Sequence, residues 1–182
     1  MAGRPRSFDR DTALAAAVEQ FWREGYDASS VATLTAAMGI SPPSLYAAFG
    51  DKQALFEEAS QAYAQRMLDG LDRALALQTT REAVQRVLED TARAHTDRAT
   101  PPGCLALTEP RLAGQRDEVR RRLQARLDQG VSEGDLPAGT RTDELAAYLV
   151  AVLRGMSGCA RDGGAAPEVR AIARSALAAL PG

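Results

Sequence analysis

Histidine and lysine occur once each in this chain of 182 residues, at His95 and Lys52, and cysteine only twice, at Cys104 and Cys159. Two cysteines make no disulfide framework, so a reducing, cytoplasmic setting is the expectation. One histidine and no Cys-x-x-Cys supply too few soft ligands for a four-coordinate metal site, and no metal or cofactor is expected. Cys104 with His95 is the competing enzymatic reading, as nucleophile and base. No oxyanion-donor motif, phosphate loop or paired carboxylates accompany them, so an enzyme is not expected. No apolar run approaches the roughly 20 residues that a membrane span needs. The opening MAGRPRSFDR lacks the apolar segment of a secretory signal. No segment alternates with the period of a strand, and the chain reads as all-α.

What is present suffices for a globular core. The hydrophobic fraction is 45% with charges scattered through the chain, and the length allows one compact unit or two small helical lobes. The stretch around which the chain is organised is Thr33 to Phe56, TLTAAMGISPPSLYAAFGDKQALF. Val31, Leu34 and Met38 have helical spacing behind Ser30, an N-cap candidate. Gly39 is suited to end that helix in the left-handed conformation. Ser41 then caps a second helix with Pro42 at its first position, where a missing N–H costs nothing, and Pro43 still in its first turn. That helix runs to about Ala48, with Leu45 and Phe49 facing inward. Two short helices joined by a tight glycine turn make a helix-turn-helix, whose second helix can enter the DNA major groove.

The run G-I-S-P-P-S-L-Y-A-A-F-G-D-K-Q-A-L-F resembles the helix-turn-helix signature of the TetR/AcrR transcriptional regulators, and the match spans Phe8 to Phe56. The resemblance implies that Tyr46 and Lys52 touch phosphates and that Ser41 or Ser44 does likewise. Further along, P-G-C-L at Pro102 to Leu105 and G-D-L-P at Gly134 to Pro137 resemble features of a subgroup of these regulators. The expectation is a ligand-responsive repressor that binds a palindromic double-stranded DNA operator as a homodimer and is released by a small-molecule effector. The alternative is a small-molecule-binding or thiol-based sensor whose DNA-binding lobe is vestigial.

Net charge of −2 argues weakly against nucleic acid. Within positions 1–55, Arg4, Arg6, Arg10, Arg23 and Lys52 stand against Asp9, Asp11, Glu19, Glu24, Asp27 and Asp51, so the proposed lobe is not basic. Placement matters more than the sum, because counterions are released where phosphates are neutralised. Arg4 and Arg6 lie on an arm able to enter a minor groove. The outward positions of the second helix, Pro42, Pro43, Ser44, Ala47 and Ala48, with Tyr46 near its end, include no Arg, Asn or Gln to grip a base edge at two points. Sequence reading must then lean on thymine methyls, on the arm and on DNA shape. Together with Ser30, Ser41 and Lys52 these positions are the DNA-binding candidates.

The organisation expected is a basic arm at 1–8, a DNA-binding domain at 9–51 and a helical effector-binding and dimerisation domain at 52–182. From Lys52 an apolar pattern continues for about 25 positions, a helix long enough to join two lobes. Thr80 to Ala99 reads as a further helix, Cys104 to Leu112 as a short one, and Val119 to Val131 as one whose arginines, Arg116 to Arg126, form a solvated face. Thr142 to about Ala160 is apolar nearly all round and so needs burial on more than one side. Leu145, Leu149, Val152, Leu153 and Met156, with Ile172 and Leu177 of a last amphipathic helix, are the dimer-interface candidates. The effector candidates are Tyr63, Met67, Leu88, Thr91, His95, Cys104, Leu107 and Tyr148, facing the middle of the C-terminal helices as in a mostly apolar small-molecule site.

Overall fold

The computed structural model describes residues 8–181, and among them every regular element is a helix. Two compact units divide the chain after Tyr63. In the first, α1 (Arg10–Ala28) begins at Asp9, whose carboxylate accepts from the Thr12 N–H, and is broken at Gly25. Next come α2 (Val31–Met38), α3 (Pro42–Phe49) and the start of α4 (Lys52–Leu75). Ala17, Phe21, Leu34, Leu45, Leu55 and Ala59 are fully buried and form the core. Phe21, Tyr26 and Phe56 add an aromatic cluster, with Phe56 edge-on to Phe21 at 5.0 Å and to Tyr26 at 4.9 Å. Such pairs contribute about 0.5–1.5 kcal/mol each beyond area burial. Because Leu55, Phe56 and Ala59 join this core, the first turns of α4 belong with α1 to α3.

The second unit takes the rest of α4 and then α5 (Thr80–His95), α6 (Leu105–Thr108), a single 3₁₀ turn at Pro110–Leu112, α7 (Ala113–Ser132), α8 (Thr142–Arg161) and α9 (Ala166–Ala178). A capping box opens α5, with Thr79 and Glu82 each satisfying the other's backbone N–H. The helix ends at His95 and not at Ala99 as the pattern predicts. The Thr96 N–H turns back to the Arg93 carbonyl and the Gly103 N–H takes the His95 carbonyl, closing the 96–103 loop on the helix end. Gly103 has φ 75°, and a Cβ there would meet Ser157 Oγ at 2.7 Å and the Ser157 carbonyl oxygen at 2.8 Å. Only glycine permits that approach of the loop to α8.

Two readings of the C-terminal helices are corrected. The arginines of α7 are not simply solvated. Arg126 is buried and donates to the carbonyls of Leu75, Leu77 and Gln78 and to Thr80 Oγ1, closing the α4–α5 connection. Arg116 donates to the carbonyls of Ala106, Glu109 and Pro110. In α8, Leu149, Leu153 and Met156 are core residues of their own unit, leaving no surface for a partner. The other side of the helix exposes Ala147, Tyr148 and Ala151 and half-exposes Leu145 and Val152.

Candidate nucleic-acid interface

The turn between α2 and α3 is built by local hydrogen bonds. Gly39 sits in the left-handed region (φ 65°, ψ 29°). Its N–H reaches the Ala36 carbonyl, and the Ile40 N–H reaches the Thr35 carbonyl at 3.1 Å. This pair of bonds is the Schellman arrangement, which satisfies carbonyls at a helix end and reverses the chain. Ser41 Oγ then accepts from the Ser44 N–H at 3.3 Å and pairs with the Ser44 hydroxyl at 2.9 Å. Leu45 and Phe49 anchor α3 inward, while Pro42, Pro43, Tyr46 and Ala47 remain exposed. Tyr46 is 52% exposed, so it is not a core residue.

The C-terminal end of α3 is held by α1 and α4. Arg10 places its guanidinium 4.5 Å from the Phe49 ring centroid and grips both carboxylate oxygens of Glu58. The Asp51 carboxylate caps α4 by accepting from the Ala54 N–H at 2.8 Å. Lys52 follows at once, its ammonium 4.2 Å from the centre of the Tyr26 ring. That cation–π contact directs a side chain that would otherwise sample many rotamers.

The expected DNA-binding residues therefore divide. Tyr46, Pro42, Pro43 and the flanking Lys52 share the neighbourhood of α3. Ser30 is exposed, but its hydroxyl accepts from the Thr33 N–H as the cap of α2. Arg4 and Arg6 lie outside the described residues. Sequence reasoning missed Tyr26 and Arg10, which position this face from far along the chain. No helical period links residue 26 to 52 or 10 to 58.

The expected effector residues divide as well. Tyr63 packs its ring on Trp22 at 5.1 Å within the first unit. Tyr148 is 41% exposed and lines an open hollow of about 520 Å³ with Leu145, Pro137 and Pro181, so it does not face the middle of the helices. Met67 and Cys104 do meet, with Sδ and Sγ 3.9 Å apart. Cys104 and Leu107 are buried and Thr91 is half-buried. Leu88 joins Leu177 on the wall of a cavity of about 330 Å³ between α5 and α9, rimmed by Arg93, Arg170 and Arg174. His95 is buried rather than solvated. Its Nδ1 has no hydrogen-bond partner among the described residues, and burial pulls its pKa down to about 4, so the ring is neutral at pH 7. Among the described residues no three His, Cys, Asp or Glu side chains gather as a metal ligand set, and no helix is long and apolar enough to cross a membrane.

Two short capped helices across a left-handed glycine, the second presented on the surface beside a directed lysine, define a helix-turn-helix unit. The description "Bacterial regulatory proteins, tetR family" matches residues 13–59. Along nearly the whole chain there is similarity to the HTH-type transcriptional repressor ComR of Escherichia coli (strain K12), at 31% identity over 98% of this chain and 92% of that protein. The HTH-type transcriptional repressor BdcR of the same organism is 39% identical over 58% of this chain and 54% of its own length. Among solved structures, a cysteine mutant of the TetR family transcriptional regulator CifR, complexed with 26 base pairs of double-strand operator DNA, superposes with a TM-score of 0.93. It is 38% identical, covering 98% of this chain and 100% of that one. The chain belongs to the tetR family of bacterial regulatory proteins and is a transcriptional regulator of the helix-turn-helix class.

Proposed function

We propose that the protein is a cytoplasmic repressor that binds a palindromic operator as a homodimer and leaves it when a small effector binds among the C-terminal helices. The observation that carries this reading is the exposed face of α3, with Tyr46 half-exposed on it and Lys52 directed beside it. Operator binding by a 38% identical protein of the same fold supports it. In this reading residues 9–51 dock in the major groove, Lys52 and Tyr46 hold phosphates, and Arg4 and Arg6 reach a neighbouring minor groove. Residues 64–182 bind the effector, with Met67, Leu88, Thr91, His95, Cys104 and Leu107 as its contacts. The partner copy covers the exposed side of α8 at Leu145, Tyr148 and Val152, together with Ile172 and Leu177 of α9. Effector binding then favours a spacing of the two recognition helices that no longer fits successive major grooves.

Footprinting against the DNA flanking the protein's own gene tests the reading. Protection of two half-sites about one helical turn apart is the expected result. No protection at any concentration that saturates related regulators would leave the lobe without a DNA-binding role.

A further inference from the structure

The first turn of α3 has almost nothing with which to donate a hydrogen bond. Pro42 and Pro43 occupy the first two helical positions and carry no N–H. The next N–H, that of Ser44, is already held by Ser41 Oγ, and the Leu45 N–H is held by the Ser41 carbonyl at 3.0 Å. The Ser41 and Ser44 hydroxyls pair with each other, leaving a single O–H hydrogen for an outside acceptor. One turn on, Ala47 is exposed and bears only a methyl group. A helix N-terminus ordinarily offers N–H groups to anions, and this one does not.

In a helix-turn-helix the N-terminal residues of the second helix meet the base edges. Discrimination there ordinarily comes from Arg or Lys on guanine and from Asn or Gln on adenine, each at two points, and none of these stands on α3. A lone serine hydroxyl serves any base, so it distinguishes little. The major groove holds one apolar feature that separates base pairs, the C5-methyl group of thymine. Pro42, Pro43 and Ala47 are exposed on either side of Tyr46 along the outward side of α3, and their carbons are suited to that group and to no other base substituent.

We infer that the operator is read through thymine methyl groups, packed against Pro42, Pro43 and Ala47, and that its half-sites place thymines under the first two turns of α3. The inference rests on the DNA-binding reading above. It adds the chemistry by which one sequence is preferred to another.

Deoxyuridine differs from thymidine only by that methyl group and leaves base pairing and the minor-groove edge unchanged. The test takes full-length protein and the duplex it selects from a random pool. Affinity is compared for three forms: the thymine duplex, one with deoxyuridine at the half-site thymines, and one with deoxyuridine only in the flanks. Each buried methyl removed should weaken binding about fourfold, the worth of one buried CH₂-sized group. The flank substitution should change nothing, and the salt slope should stay constant because no phosphate contact is lost. Equal affinity for the first two duplexes would overturn the inference while leaving DNA binding intact. Failure to select any duplex would overturn the DNA-binding reading and this inference with it.

Discussion

Arg10 and Glu58 meet with both terminal guanidinium nitrogens, Nη1 and Nη2, on both carboxylate oxygens, at 2.6 and 2.7 Å, across the helices that flank the end of α3. The same guanidinium covers Phe49, the last residue of α3, and lies 3.4 Å from the Ala48 carbonyl oxygen. A cation in a DNA-binding lobe is easily read as a phosphate contact. Here it is spent on holding the recognition helix against α1 and α4. Both side chains are about a third exposed, so the ion pair alone is worth about 1 kcal/mol at most.

Arg10→Met keeps the aliphatic cover on Phe49 and removes the fork. Unfolding should cost about 1–2 kcal/mol less, counting the lost cation–π contact. Operator affinity should fall more than stability does, because α3 loses the support at its C-terminal end. Urea denaturation with parallel DNA titration checks both. Unchanged affinity would make the pair a surface ion pair and nothing more.

Lys52 and Tyr26 separate a charge from its placement. Lys52→Ala should weaken binding to all sequences alike and flatten the salt slope by about one unit. Tyr26→Leu should weaken binding too, with the slope unchanged, because the ammonium is still present but no longer directed. Affinity measured across a salt series reads the two effects apart. A slope that falls in the Tyr26 variant would contradict the positioning role.

His95 makes stability depend on pH in a defined direction. Its pKa is about 4 folded, against an ordinary value of 6.5, because burial penalises the charged ring. The unfolded chain therefore takes up the proton first, and the stabilisation present above pH 6.5 is lost as pH falls toward 4. About 2 kcal/mol should be lost between pH 7.5 and 5, and His95→Gln should flatten that window. Asp135 does not obscure it. Its pKa is lowered below the usual 3.8, chiefly by hydrogen bonds from Thr80, so its contribution fades only at still lower pH. Urea midpoints at the two pH values give the comparison.

The helix-turn-helix was legible in the sequence because its determinants are local. Ser30, Gly39, Ser41 and Asp51 each act within a few residues of themselves, and the structure uses all four as caps or turn residues. The all-α reading and the extent of α4 followed from periodicity in the same way. What was not legible depends on distant partners. Arg126 looks like one more arginine on a charged helix until the carbonyls of Leu75, Leu77 and Gln78 are brought to it. The burial of Leu149, Leu153 and Met156 is likewise a property of the packed unit, since the apolar pattern of α8 runs nearly round the helix and marks no side as inner. The residues expected to bind an effector were chosen by helical phase, which could not tell Tyr63, packed on Trp22, from Met67, which touches Cys104.

Repression as proposed requires two recognition helices acting on one operator, and sedimentation velocity of the protein with its selected duplex reads this out. The wild type should sediment as a dimer at micromolar concentration, with two chains on each duplex at saturation. Tyr148→Glu, a charge on the exposed side of α8, should give folded monomers whose operator affinity collapses with the loss of the second half-site. A wild-type monomer that binds the operator one chain at a time would contradict both the interface and the two-half-site mechanism.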